Sequence, residues 1–121
     1  MNKIKDFKEL RIWQDGIIIV KEIYKCTKSF PKEEIFVLTS QMRRAAISIP
    51  SNIAEGFRRY HKKEFIQFLY IVLGSLAELE TQFIISNELG YIKENVLNEI
   101  GKKLNLLGKM INSLIQKIKK S

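Results

Sequence analysis

The chain has 121 residues, of which 45% are hydrophobic and 28% charged, a balance that predicts one globular domain (residues 1–121) and excludes a disordered protein. Its formal net charge of +8 fits two interpretations, either affinity for a polyanion or a lysine-rich surface that keeps the protein soluble. The single Cys26 excludes an internal disulfide, and the sequence has no signal-peptide core and no uninterrupted apolar run of bilayer length, which predicts a cytoplasmic protein with no membrane partner.

A first helix is predicted from about Phe7 to Lys28, where apolar residues recur at spacings of three and four. The residues of this stripe are Leu10, Trp13, Ile17, Val20, Tyr24 and Thr27. Pro31 disfavours helical geometry at the residue before it, so the helix ends just ahead of that proline. Glu33 and Glu34 then suit the first turn of a second helix, where carboxylates complement the helix dipole.

The second helix contains the most unusual stretch of the chain, SQMRRAAISIPSNIAEGFRR at residues 40–59. Pro50 lacks an amide hydrogen and clashes with the preceding turn, which predicts a kink or a restart of the helix there. Ser51 and Asn52 can hydrogen-bond the backbone groups that the proline frees, and Gly56 suits a helix end. The apolar face ahead of the proline comprises Ile35, Leu38, Met42, Ala45 and Ile49.

Two further helices are predicted, one from about Lys62 to Glu88, with a stop at Leu89-Gly90, and one from about Lys93 onward. The stripe of helix three comprises Phe65, Phe68, Val72, Leu76, Leu79 and Phe83. The stripe of helix four comprises Leu97, Ile100, Leu104, Leu107, Ile111, Leu114 and Ile118. Four amphipathic helices with short links predict an all-α fold, an antiparallel up-down-up-down four-helix bundle.

Helices one and three have more apolar surface than a single bundle core can cover. Residues 17–20 are apolar without interruption, and residues 65–73 are apolar at nearly every position. Each helix of a four-helix bundle keeps an outer face, so this surplus predicts contact with another subunit. The pattern predicts a homo-oligomer without giving the number of its subunits.

Several segments, taken in order, carry a resemblance to a known family. They are the stretch from Phe7 to Leu38, the unusual stretch at residues 40–59, FIQFLYIVLGSLAELETQ at residues 65–82 and LGYI at residues 89–92. Together they resemble the four-helix-bundle family called 23S rRNA intervening sequence proteins. The resemblance implies a ring-shaped homopentamer. It also implies a nucleic-acid partner and a reverse transcriptase or other protein partner, because related accessory proteins of diversity-generating retroelements bind nucleic acid and assist such an enzyme.

Basic residues are concentrated at the junction of helices two and three and on helix four, where residues 91–121 contain seven lysines and two glutamates. The candidates for contact with RNA or DNA phosphates are Arg58, Arg59, Lys62, Lys63, Lys102, Lys103 and Lys109. Arg43 and Arg44 lie in mid-helix beside small alanines, so we favour a structural role in ion pairs for both. The carboxylates available to them are Glu55, Glu78 and Glu80.

Catalysis, metals and cofactors are not expected. A di-iron site needs two Glu-x-x-His motifs and a zinc site needs several cysteines or histidines, whereas the chain has only Cys26 and His61. It contains no glycine-rich phosphate loop and no nucleophile elbow. The sequence therefore predicts a non-enzymatic oligomer that binds RNA or DNA with little sequence preference. The alternative is an oligomeric scaffold for other proteins, in which the charge is incidental.

Overall fold

A computed structural model describes residues 3–121, which form four α-helices, two short 3₁₀ helices and no strand. The α-helices are α1 (Arg11–Thr27), α2 (Leu38–Arg58), α3 (Lys62–Glu88) and α4 (Glu94–Lys120). The 3₁₀ helices Phe7–Glu9 and Lys32–Glu34 precede α1 and α2. The predicted all-helical class with four helices is confirmed.

The four helices surround one hydrophobic core. α1 contacts α2 and α4, and α3 contacts α2 and α4, whereas no Cα atoms of α1 and α3 approach within 8 Å of each other in the described residues. Every helix contributes side chains with almost no exposed surface, among them Ile23, Met42, Ile49, Leu79, Phe83 and Ile111. Burying such side chains is the main source of stability for a domain of this size.

The structure corrects the predicted buried face of α1. The residues that face the core are Ile12, Gly16, Ile19, Ile23 and Thr27, one position away from much of the predicted stripe. The reason is Gly16, where an added Cβ would lie 3.2 Å from Cγ2 of Ile49 and 3.4 Å from Cδ of Pro50. α1 and α2 therefore approach each other closely at a residue that a hydrophobic pattern ignores.

α2 begins later than the sequence predicts. Residues 32–34 form the separate 3₁₀ helix, residues 35–37 form a turn, and both glutamates predicted for the first turn of α2 lie outside it. One carboxylate oxygen of Glu34 accepts a hydrogen bond of 3.4 Å from the amide of Leu38, so this glutamate caps α2 from outside the helix. Ile35, predicted as a core position, is consequently exposed.

α2 continues through Pro50 without a restart, and the proline is buried. Because Pro50 has no amide hydrogen, the carbonyl of Ala46 lacks its usual helical donor. The amide nitrogen Nδ2 of Asn52 donates a hydrogen bond of 2.8 Å to the carbonyl of Ser48, so its bond goes to a different carbonyl from the one that the proline frees. Ser51, the other predicted donor, is exposed.

Gly56 does not end α2, contrary to the prediction. The helix extends to Arg58, and Tyr60 then takes a left-handed φ of 59°. An added Cβ at Gly56 would lie 2.5 Å from Cβ of Phe68. This glycine is therefore required for the close approach of α2 and α3 rather than for termination.

The predictions for α3 and α4 agree with the structure. α3 has the predicted bounds, and Gly90, with a φ of 81°, follows it as the expected stop. The predicted stripe positions that are buried are Val72, Leu76, Leu79, Phe83, Ile100, Leu104, Leu107 and Ile111. Leu69 and Ile115 are additional core residues. Phe65, Leu97, Leu114 and Ile118 pack partly buried against the core, whereas the predicted position Phe68 is not part of it.

α3 is the one helix of the described chain that is long and apolar enough, by length and composition only, to cross a membrane. The core helix of a soluble protein passes the same test, so this property is weak evidence for a membrane span. Along its length α3 places Leu69, Val72, Leu79 and Phe83 in the core formed with the other helices.

Candidate nucleic-acid interface

The junction between α2 and α3 brings basic side chains to one end of the molecule. The left-handed conformation of Tyr60 interrupts the helix, so α2 ends and α3 starts within four residues. Nζ of Lys62 donates a hydrogen bond of 3.0 Å to the backbone oxygen of Ser121, which places the end of α4 beside this junction. We call the resulting exposed set the basic end; it comprises Arg58, Arg59, Lys62, Lys63, Lys117, Lys119 and Lys120.

The two adjacent arginines differ in their surroundings. Nη2 of Arg59 lies 3.1 Å from Oε2 of Glu55, and Nη1 lies 3.7 Å from Oε1 of Glu64. Arg58 makes no ion pair with residues 3–121, and its guanidinium lies 5.1 Å from the centre of the Phe7 ring. A phosphate would compete with two carboxylates at Arg59 but with none at Arg58, so Arg58 is the stronger candidate of the two for an anion site.

Lys63 and Tyr60 complete the exposed surface of the junction. Lys63 is exposed and forms no ion pair or hydrogen bond in the described chain. Tyr60 is 73% exposed, and the centre of its ring lies 6.3 Å from that of Phe57. An exposed aromatic ring beside cations is a feature on which the bases of single strands stack. The sequence alone could not identify Tyr60, because its exposure depends on the turn.

The three lysine candidates on α4 do not join the basic end. Nζ of Lys103 pairs with the carboxylate of Glu22 on α1, and this hydrogen bond raises the pKa of the lysine. Lys102 and Lys109 are exposed two turns apart on the outer face of α4. Lys109 precedes Lys120 by eleven residues, a rise of about 16 Å along the helix. The seven candidates therefore form one cluster of four, one exposed pair and one lysine that is already paired.

Three lysines at the end of α4 belong to the cluster although they were not among the candidates. Lys117, Lys119 and Lys120 are close to the junction only because the end of α4 packs beside the start of α3. Nζ of Lys119 donates a hydrogen bond of 3.1 Å to Oη of Tyr70 on α3. The antiparallel order of the predicted helices was the one indication in the sequence that could have placed them there.

The ion pairs predicted for the first arginine pair do not form. Nε of Arg43 donates a hydrogen bond of 2.9 Å to Oγ1 of Thr27, and its guanidinium lies 4.4 Å from the centre of the Tyr24 ring. Arg43 thus links α2 to α1, a structural role without a carboxylate. Arg44 is exposed and unpaired within the described residues. Of the proposed partners, Glu55 pairs with Arg59.

No group of three or more His, Cys, Asp or Glu side chains that could hold a metal ion occurs in residues 3–121. Cys26 is half-buried, and burial raises the pKa of its thiol to about 11. The thiol therefore stays protonated at neutral pH and is a weak nucleophile and a weak metal ligand.

Comparison with known proteins identifies relatives of the fold. A model of the family described as 23S rRNA-intervening sequence protein matches residues 8–113. A solved structure from Bacteroides thetaiotaomicron, a protein with unknown function from the S23 ribosomal protein family, is similar to this chain with a TM-score of 0.80 and 24% sequence identity. The similarity covers 87% of this chain and 95% of that one, and it shows a shared fold. No curated protein is significantly similar to the chain.

Proposed function

The chain belongs to the 23S rRNA-intervening sequence protein family, and on that premise we propose that it is a non-enzymatic homo-oligomer that binds RNA or DNA through its basic end. The observation that carries this proposal is the meeting of cations from the ends of three helices. Within residues 3–121, Arg59 is the one member of the basic end in an ion pair, while Lys62 and Lys119 donate hydrogen bonds to the backbone of Ser121 and to the hydroxyl of Tyr70. The positive charges other than that of Arg59 are therefore not neutralised by carboxylates, and they can attract phosphates.

The proposed architecture is an antiparallel up-down-up-down bundle in which α2 bends at Pro50. Oη of Tyr91, which follows α3, donates a hydrogen bond of 2.8 Å to Glu34, which precedes α2. The bond between Lys62 and Ser121 likewise joins the start of α3 to the end of α4. These contacts support opposite directions for α2 and α3 and for α3 and α4. A proline inside a helix favours a bend because its ring clashes with the preceding turn.

The proposed assembly is a ring, with five subunits as the family resemblance implies. Apolar side chains that remain about half exposed on α3 support burial against another subunit; they are Tyr70, Ile71, Ile84 and Ile85. A ring would repeat the basic end in every subunit, each with a net charge of +8, so that one strand could contact several copies. The proposed compartment is the cytoplasm, and a reverse transcriptase or another protein is a further proposed partner.

The mode of binding that these groups favour is contact with the backbone of the nucleic acid. The guanidinium of Arg58 can bind two phosphate oxygens at once, whereas Lys63 acts as a point charge. Contacts with phosphates carry no sequence information, and stacking of a base on Tyr60 would tolerate every base. We therefore expect little preference between sequences.

Fluorescence anisotropy with labelled RNA and DNA strands of mixed sequence tests the proposal. Arg58→Glu/Lys63→Glu should weaken binding at low salt at least tenfold, because it replaces two unpaired cations with carboxylates. Lys21→Glu/Lys25→Glu makes the same change in charge on exposed positions of α1 and should weaken binding much less. If an intact oligomer binds neither strand even at low salt, the proposal fails and the alternative, a scaffold for other proteins, takes its place.

A further inference from the structure

Two surfaces outside the basic end have opposite charges and no partner in the subunit. The first is a groove of about 640 Å³ between α1 and α2, which we call the α1–α2 groove. Its lining includes four cationic side chains, Lys28, Lys32, Arg43 and Arg44, and no aspartate or glutamate. None of these four forms an ion pair with the described residues.

The same groove has an apolar rim. Phe36, in the turn before α2, is 92% exposed, which is unusual for so large an apolar side chain. Ile35 and Ile47 line the groove and are also exposed. Arg43 is held in place by Thr27 and the Tyr24 ring, so one cation of the groove is already oriented. A partner for this groove should combine apolar contacts with negative charge.

The second surface is the exposed side of α3 between residues 67 and 89, which we call the α3 outer face. No lysine or arginine occurs between residues 64 and 92. Glu78 and Glu88 on this side are exposed and unpaired within residues 3–121. Glu80 faces the opposite flank of α3, where it lines a cavity with Lys102 of α4. Ile84 and Ile85 are about half exposed beside Glu78 and Glu88. Gly74 leaves open space on this surface, since an added Cβ there meets no atom within 4 Å.

We propose that the α1–α2 groove of one subunit receives the α3 outer face of the next subunit. This inference rests on the proposed homo-oligomer and identifies the two surfaces that form its contact. Four groove cations would face two carboxylates, Glu78 and Glu88, and Phe36 would pack against Ile84 and Ile85. Because the two surfaces differ, the contact is head-to-tail and builds a closed ring or a filament.

The arrangement of the helices allows each subunit to use both surfaces at once. α1 and α3 share no contact within the subunit, so the α1 side of the groove lies apart from the α3 outer face. The α2 side of the groove borders that face, because Phe36 and Arg44 also line a cleft with Ile71 and Glu78. In this contact the cations of the groove pair with carboxylates of the next subunit. The basic end and the outer face of α4 remain exposed to solvent. The contact also explains how subunits of net charge +8 can associate despite their mutual repulsion.

Light scattering on two variants tests the pairing. Phe36→Asn/Arg44→Gln removes the exposed ring and one unpaired cation of the groove. Gly74→Arg places a large cation on the α3 outer face at a position with open space. Each variant alone should have the mass of a single chain, 14.2 kDa, because each lacks one half of the contact. An equimolar mixture should form a dimer and nothing larger, since only one intact pair of surfaces remains.

Gly74→Ala and Asn112→Arg are the controls. The first is too small to block the α3 outer face, and the second adds the same charge to the exposed side of α4, so both should keep the wild-type mass. If Gly74→Arg loses helix content by circular dichroism, Glu78→Lys/Glu88→Lys tests the same face by charge alone. Wild-type mass in both variants, or a mixture that stays monomeric, would overturn the pairing. A monomeric wild type would instead refute the proposed oligomer itself.

Discussion

Gly56→Ala should destabilise the protein although alanine favours helices. The added Cβ would lie 2.5 Å from Cβ of Phe68, 3.1 Å from its Cγ and 3.2 Å from Cδ1 of Phe65. The Cβ of Phe68 is attached directly to the backbone of α3, so a side-chain rotation cannot relieve the contact. The two helices must move apart, and the buried contacts between them weaken.

Two opposing effects set the magnitude. Forcing extra volume into a packed core costs typically about 1–3 kcal/mol, and a clash with an immobile atom belongs in the upper part of that range. Alanine has a higher helix propensity than glycine, which raises the free energy of unfolding by about 1 kcal/mol. We therefore expect a net loss of about 1–2 kcal/mol, which lowers the midpoint of thermal unfolding by roughly 4–8 °C for a domain of this size.

Gly101→Ala is the matched control, because Gly101 is also helical and an added Cβ there meets no atom within 4 Å. That variant should gain about 0.5–1 kcal/mol. Thermal and urea unfolding followed by circular dichroism would measure both changes. If the two alanine variants are stabilised to the same extent, the close packing of α2 on α3 is refuted.

Three further predictions concern single side chains. Leu107→Ala should cost about 2–5 kcal/mol, whereas Leu106→Ala beside it, at a position that is 55% exposed, should cost far less; equal costs in urea unfolding would mean that the register of α4 is wrong. Tyr91→Phe should lower the stability at neutral pH. The hydrogen bond that Tyr91 donates to Glu34 raises the pKa of its hydroxyl above the ordinary 10.0, so the stabilisation is present below pH 10 and disappears as the pH rises through the raised pKa. Unfolding curves from pH 7 to 11 would show the variant and the wild type converging, and a constant gap would contradict this. Pro50→Ala should change the mass of the oligomer more than its helix content, and a variant with wild-type mass, stability and nucleic-acid binding would show that the proline is incidental.

The parts of the fold that the sequence predicted well are those fixed by local chemistry. α3 was predicted with its observed bounds because its end is marked by Gly90, which adopts a φ that other residues disfavour. The buried face of α4 was predicted correctly because the spacing between its apolar residues alternates between three and four along the whole helix. The face of α1 was missed because its central contact is made by Gly16, and the start of α2 was missed because Glu34 caps that helix from outside.

The candidate site divides in the same way. The members of its first cluster, residues 58–63, are neighbours in the chain, so their proximity followed from the sequence. The pairing of Arg59 with Glu55 at a spacing of four was also readable as a helical ion pair. The pairing of Lys103 with Glu22 joins residues 81 positions apart and required the packing of α4 on α1. The lysines at the end of α4 were missed for the same reason.

The salt dependence of nucleic-acid binding tests most directly the claim that the basic end holds phosphates. The logarithm of the binding constant should fall linearly with the logarithm of the salt concentration, with a slope of about −0.7 to −0.9 for each phosphate contacted. Arg58→Glu/Lys63→Glu should make this slope less steep by at least about 1.4, the value for two lost contacts, while Lys21→Glu/Lys25→Glu keeps the wild-type slope. If Arg58→Glu/Lys63→Glu keeps an intact oligomer and has the same slope as the wild type, the account is contradicted.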